Sequence, residues 1–152
     1  MYLWKYWRES RITFAVGVVL IIQVGMNATL RARLGSPVLA ALISFLVGTA
    51  VLTVLVLLTR APLPNRAQLL AVPGWAWLGG VLGAFYVVVS VIVGPRIGAA
   101  ALLALIVLGQ LVTSLTVDHF GWLGFPQHTL TPLRLLGAAL LFGGVLLVVH
   151  RG

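Results

Sequence analysis

Five runs of apolar residues, each close to the length that crosses a lipid bilayer, constrain this 152-residue chain more than any other feature. A helix needs about 20 mostly apolar residues to traverse the hydrocarbon core. The runs cover about 12–30, 37–59, 74–93, 97–117 and 132–150. They are continuous, without the apolar-polar alternation of a transmembrane β-barrel. The expected fold is therefore all-α, an integral membrane bundle of five transmembrane helices. Composition agrees: 61% of residues are apolar, 8% are charged and the mean hydropathy is +1.15. A soluble domain carries roughly a quarter charged residues. Ten basic and two acidic side chains cannot coat one, so lipid is the solvent.

Local signals mark the ends of the runs. Ser36 reads as an N-cap with Pro37 at the first helical position of the second span. Gly94-Pro95-Arg96 reads as the stop of the third. The two longer connections are 60–72, with two prolines, and 118–131, with Gly121, Gly124 and Pro126. Neither is large enough for a further domain. The expected organisation is an interfacial segment over 1–11 followed by one transmembrane domain over 12–152.

The start of the chain superficially resembles a secretory signal, with Lys5, Arg8 and Arg11 before an apolar run. No small-residue cleavage site follows, and an uncleaved first span fits better. Tyr2, Trp4, Tyr6 and Trp7 beside Lys5 and Arg8 have the composition of an anchor at headgroup depth. Trp75, Trp77 and Trp122 also fall at span ends and read as a membrane belt.

The net charge of +8 raises nucleic-acid binding, but the basic residues are scattered between apolar runs as topology signals are. No nucleic-acid partner is expected. With five spans, Lys5, Arg8, Arg11, Arg60, Arg66 and Arg134 fall on one side and Arg31, Arg33, Arg96 and Arg151 on the other. That six-to-four split favours an inside N-terminus weakly. It suits dual insertion as well as a single orientation set by the first three charges.

Polar groups in a bilayer core are costly and usually face a bundle interior or a wet cavity. Gln23 and Asn27 are four apart in the first span, hence on one helical face. Tyr86 and Ser90 have the same spacing in the third. Gln110, Ser114 and Asp118 stand at i, i+4 and i+8 in the fourth. Ser44 lies between Ala40 and Gly48 in the second, and the fifth has nothing polar between Arg134 and His150. Interhelical hydrogen bonding is the plainer role for Ser44, Ser90 and Ser114 taken singly. The three amides offer more donors and acceptors than packing needs. Small residues at four-residue spacing, Gly79 with Gly83, Gly80 with Ala76 and Ala84, and Ala139 with Gly143, mark faces for close helix or dimer packing.

Absences narrow the chemistry. There is no cysteine, and the three histidines and two acids are too dispersed for a metal site. Asp118 and His119 point about 100° apart on a helix, which disfavours a catalytic dyad. No enzyme activity and no cofactor are expected. No carboxylate lies at mid-membrane, so Asp118, at a span end, is the sole candidate for coupling.

Several segments together resemble the YdcZ-like membrane proteins of the drug/metabolite transporter superfamily. They are Gln23-Val24-Gly25-Met26-Asn27, Leu34-Gly35-Ser36-Pro37, Ser44-Phe45, Trp77-Leu78-Gly79-Gly80 and Gly83-Ala84-Phe85-Tyr86. Pro95-Arg96-Ile97-Gly98, Gly109-Gln110, Ser114 and Asp118-His119-Phe120-Gly121 continue the likeness, which runs from about Phe14 to Arg151. The resemblance implies a multi-pass protein of the bacterial inner membrane and a five-helix unit that larger superfamily members carry twice. Duplicating an odd number of spans inverts the second copy, the architecture of alternating-access transporters. A single-copy chain rebuilds it by pairing two protomers, in this case a homodimer with an antiparallel option. The small multidrug-resistance relatives use a glutamate in the first span where this chain has Gln23 and Asn27, which disfavours their proton-coupled export of cations.

The expectation is a dimeric transporter of a small polar or amphiphilic organic solute. Gln23, Asn27 and Gln110 would line the site, with Ser44, Tyr86, Ser90 and Ser114 around it. The alternative is a non-transporting membrane protein that packs against or stabilises a partner complex through its small-residue faces.

Overall fold

The computed structural model describes the backbone of residues 2–150 and the side chains of residues 10–150. The anchor side chains expected at Tyr2, Trp4, Lys5, Tyr6, Trp7 and Arg8, and the charge of Arg151, lie outside the described residues. Helix α1 spans Tyr2–Leu34, α2 Pro37–Thr59, α3 Arg66–Ala71, α4 Gly79–Ile97, α5 Ala99–Phe120 and α6 Pro132–Val149. A 3-10 helix over Gly74–Leu78 leads into α4, and another over Trp122–Gly124 follows α5. Among the described residues, five helices are long and apolar enough to cross a membrane: Ser10–Leu34, Pro37–Thr59, Gly74–Ile97, Ala99–Phe120 and Pro132–Val149.

The junctions follow from local chemistry. Gly35 takes φ 71°, and its N–H donates to the Arg31 carbonyl at 2.9 Å, which closes α1. Ser36 is extended, and its hydroxyl accepts from the Leu39 N–H at 3.3 Å with Pro37 behind it, as its sequence signal predicts. At the far end of α2, Arg60 adopts φ 50°, and Arg60 and Ala61 donate back to Leu57 and Val56. That pairing satisfies carbonyls the helix would leave open.

The connection over 60–72 contains a helix that composition does not announce. Asn65 and Gln68 form a reciprocal capping box, with bonds of 2.8 and 2.9 Å, and start α3.

The largest departure from the sequence reading is the end of α4. Gly94-Pro95-Arg96 reads as a stop after Val93, yet the helix continues to Ile97 with Pro95 inside it. Proline has no N–H, so the carbonyl one turn earlier, that of Val91, loses its helical donor. The Arg31 guanidinium reaches it from α1 at 2.9 Å. A buried carbonyl left unpaired is expensive, especially in lipid. Here the open position is filled, so the helix survives its proline.

The chain separates into two compact units, one running to Pro95 and one starting at Arg96. In the first, α1 packs on α2, and Ala41, Val87 and Val91 form a small core with Tyr86 and Val88 against it. In the second, α5 and α6 pack as a hairpin. The buried shares of the five spans run from 6% to 22%, so most apolar side chains face outward, as suits lipid or further protein.

Candidate functional site

On α1, Gln23, Asn27 and Arg31 stand at i, i+4 and i+8 and make a polar ladder along one face. The rungs differ in setting. Gln23 is exposed and lines a groove of about 240 Å³ with Ser44, Phe45, Gly48, Thr49 and Leu52 of α2. Asn27 is 4% exposed. Arg31 is half-buried and spans to the Val91 carbonyl.

Asn27 is the most informative of these. No hydrogen bond joins its amide to another described residue. No fully sealed side-chain N or O among the described residues lacks a partner. Its amide atoms therefore keep access to the adjoining space although the residue as a whole is buried. Ser90 on α4, 2% exposed, is in the same condition. Both are polar groups with unused hydrogen-bonding capacity inside an apolar unit.

The other expected site residues divide. Gln23 and Ser44 meet on one groove. Tyr86 packs on the Ala41–Val87–Val91 core instead of standing free. Gln110 and Ser114 are exposed on α5 in the second unit. Asp118 is not free: Arg134 Nη2 donates to its Oδ2, with the two side chains 33% and 22% exposed. Around this pair the connection 121–131 folds back on the end of α5. His128 N–H donates to the Asp118 carbonyl at 2.8 Å, Gln127 Nε2 to the His119 carbonyl at 2.9 Å, and Arg134 Nη1 to the His128 carbonyl at 3.0 Å. Gly121, at φ 65°, makes the turn possible, and a Cβ there would meet Gln127 Cβ at 3.3 Å.

Of the small-residue positions, only Gly83 meets a neighbour among those with described surroundings, the Phe45 ring at 3.5 Å from a notional Cβ. Gly79, Gly80 and Gly143 face open space. Ala139 is exposed on α6. Among the described residues, no three His, Asp or Glu side chains gather as a metal site.

Sequence reasoning missed Arg31, Thr49 and Arg134. Both arginines read as loop charges because each sits at a span end. The i+8 spacing of Arg31 from Gln23 was the available signal for the first. Thr49 lies five residues after Ser44, too far round the helix to read as its neighbour.

The profile of the family described as "Putative inner membrane exporter, YdcZ" matches residues 10–147. The inner membrane protein YdcZ of Escherichia coli (strain K12) is 31% identical over 138 residues, covering 90% of this chain and 91% of that protein. No solved structure matches the chain.

Proposed function

The chain belongs to the YdcZ family of inner membrane proteins, and on that premise we propose that it carries a small polar or amphiphilic organic solute by alternating access, as a homodimer. With five membrane-length helices it is a multi-pass inner membrane protein of a transport family, not of an enzyme family.

The observation that carries the finer reading is Asn27, 4% exposed and without a hydrogen-bond partner among the described residues, one turn from the Gln23 groove. Amides held at mid-span with unused donors and acceptors suit recognition of a hydrogen-bonding solute. Gln23, Ser44 and Ser90 complete this site, with Tyr86 as its wall. Gln110 and Ser114, exposed on α5, offer further uncharged donors and acceptors of the same kind. The homodimer is supported by arithmetic and by surface. Five spans make an incomplete inverted repeat, and inverting a second copy completes it. The open faces at Gly79, Gly80, Ala139 and Gly143 are suited to close helix contact with that copy. Coupling through Asp118 would require its Arg134 pair to open during the cycle.

Uptake of a panel of radiolabelled organic solutes into proteoliposomes tests this reading. Asn27→Ala and Gln110→Ala should each cut the flux of the transported solute at least tenfold while leaving insertion intact. Unchanged flux in both variants sinks the site assignment. A chain that moves no solute but co-purifies with a membrane complex would instead be a packing partner.

A further inference from the structure

The polar ladder on α1 ends in a charge that no carboxylate in the described chain answers. Among the described residues Asp118 is the one acid, and Arg134 holds it. Arg31 spends one N–H on a neutral carbonyl, that of Val91, and no acid neutralises it. A guanidinium offers five N–H donors in a planar fork, and it does not deprotonate in proteins. Its remaining donors and its whole charge stand one turn beyond Asn27 on α1 and beside the residue that follows Ser90 on α4, two buried polar groups without a hydrogen-bond partner among the described residues.

We propose that this polar face of α1 selects a small organic monocarboxylate, whose carboxylate is bound by the Arg31 fork and the Asn27 amide while its apolar body lies toward the Gln23 groove. The inference rests on the transport reading above for its setting and adds the substrate class. A single guanidinium beside uncharged amide and hydroxyl groups balances one negative charge, and its planar fork matches the two oxygens of a carboxylate. A phosphate monoester, at about −1.5 to −2, carries more charge than the one Arg31 guanidinium balances. A cation would meet Arg31 with like charge. Dimensions agree with a compact ligand. Asn27 lies about 6 Å along the axis from both Arg31 and Gln23, at 1.5 Å per residue. The groove beyond it is apolar at Phe45 and Leu52 and polar at Gln23, Ser44 and Thr49, which suits a ring or short chain.

The test must separate ligand binding from the service Arg31 gives to α4. Pro95→Ala restores the helical N–H to the Val91 carbonyl, so the double variant Arg31→Gln/Pro95→Ala keeps that carbonyl paired without a cation. Benzoate, benzamide and benzamidine share one body and differ in charge. Calorimetric binding of each to the purified full-length protein is the readout, with flux in proteoliposomes beside it. Benzoate should bind at least tenfold more tightly than benzamide, and benzamidine should not bind. The preference should vanish in Arg31→Gln/Pro95→Ala, persist in Pro95→Ala alone, and weaken several-fold in Arg31→Lys, which keeps the charge and loses the fork. Failure to bind benzoate, equal binding of all three, or a preference retained in the double variant overturns the proposal. Binding of benzoate without flux leaves the anion site standing and counts against transport. Flux of benzamide or benzamidine that ignores Arg31 does the reverse.

Discussion

Two arginines near span ends have opposite fates. Arg134, at the start of α6, sits on a carboxylate and a carbonyl, Asp118 and His128, and its charge is spent on fastening the loop that joins α5 to α6. Arg31, near the end of α1, sits on the carbonyl that Pro95 leaves open, and no acid among the described residues neutralises its charge. Both contacts hold neighbouring helices in place. Only one leaves a cation that a ligand can meet. In a chain with ten basic and two acidic residues, the placement of the acids decides which basic groups remain reactive toward a solute.

Stability measurements in detergent or bicelles separate the two arginines. Arg31→Ala should be the most damaging single change, about 2–3 kcal/mol, because it strands the Val91 carbonyl and removes a charge-assisted bond. Adding Pro95→Ala should recover most of that loss, a non-additivity characteristic of residues sharing one group. If the two losses simply add, Arg31 does not serve the proline gap. Arg134→Ala should cost less, about 1–2 kcal/mol, since its ion pair is a quarter to a third exposed and solvent screens it. Raising the ionic strength should weaken the Arg134 contact and leave the contribution of Arg31, measured against Arg31→Ala, nearly unchanged. A similar cost, about 1–2 kcal/mol, is expected for Gly121→Ala, which places a Cβ at φ 65° against Gln127 and loosens the same loop. Smallest is Ser36→Ala, about 1 kcal/mol from the lost cap on α2. It acts on neither arginine and should leave their difference intact.

The residues show why some of this was legible and some was not. The spans follow from apolar run length, and the start of α2 from Ser36-Pro37, because each depends on neighbours in sequence. Arg31 escapes such reading because the group it meets is 60 residues away, and its importance depends on the fact that Pro95 continues a helix instead of ending one. Pro95 was misread for the same reason: the local rule holds only when nothing else satisfies the carbonyl. Asp118 read as a coupling candidate, its ion pair unseen, because its partner lies 16 residues on, across a connection whose fold back onto α5 depends on Gly121. The Asn65–Gln68 capping box was a local signal within reach, hidden by the prolines before it.

On this reading Asn27, though nearly enclosed by protein, faces a path open to water and solute. The chain has no cysteine, so Asn27→Cys introduces a single thiol. Its reaction with a water-soluble, membrane-impermeant methanethiosulfonate reagent is the direct measurement, with Leu140→Cys, on an exposed apolar position of α6, as the lipid-facing control. The thiol at position 27 should be modified, benzoate should slow the modification, and the thiol at position 140 should stay unreacted. A thiol at 27 as inert as the one at 140, in a protein that still inserts and folds, would make Asn27 a packing residue and contradict the account.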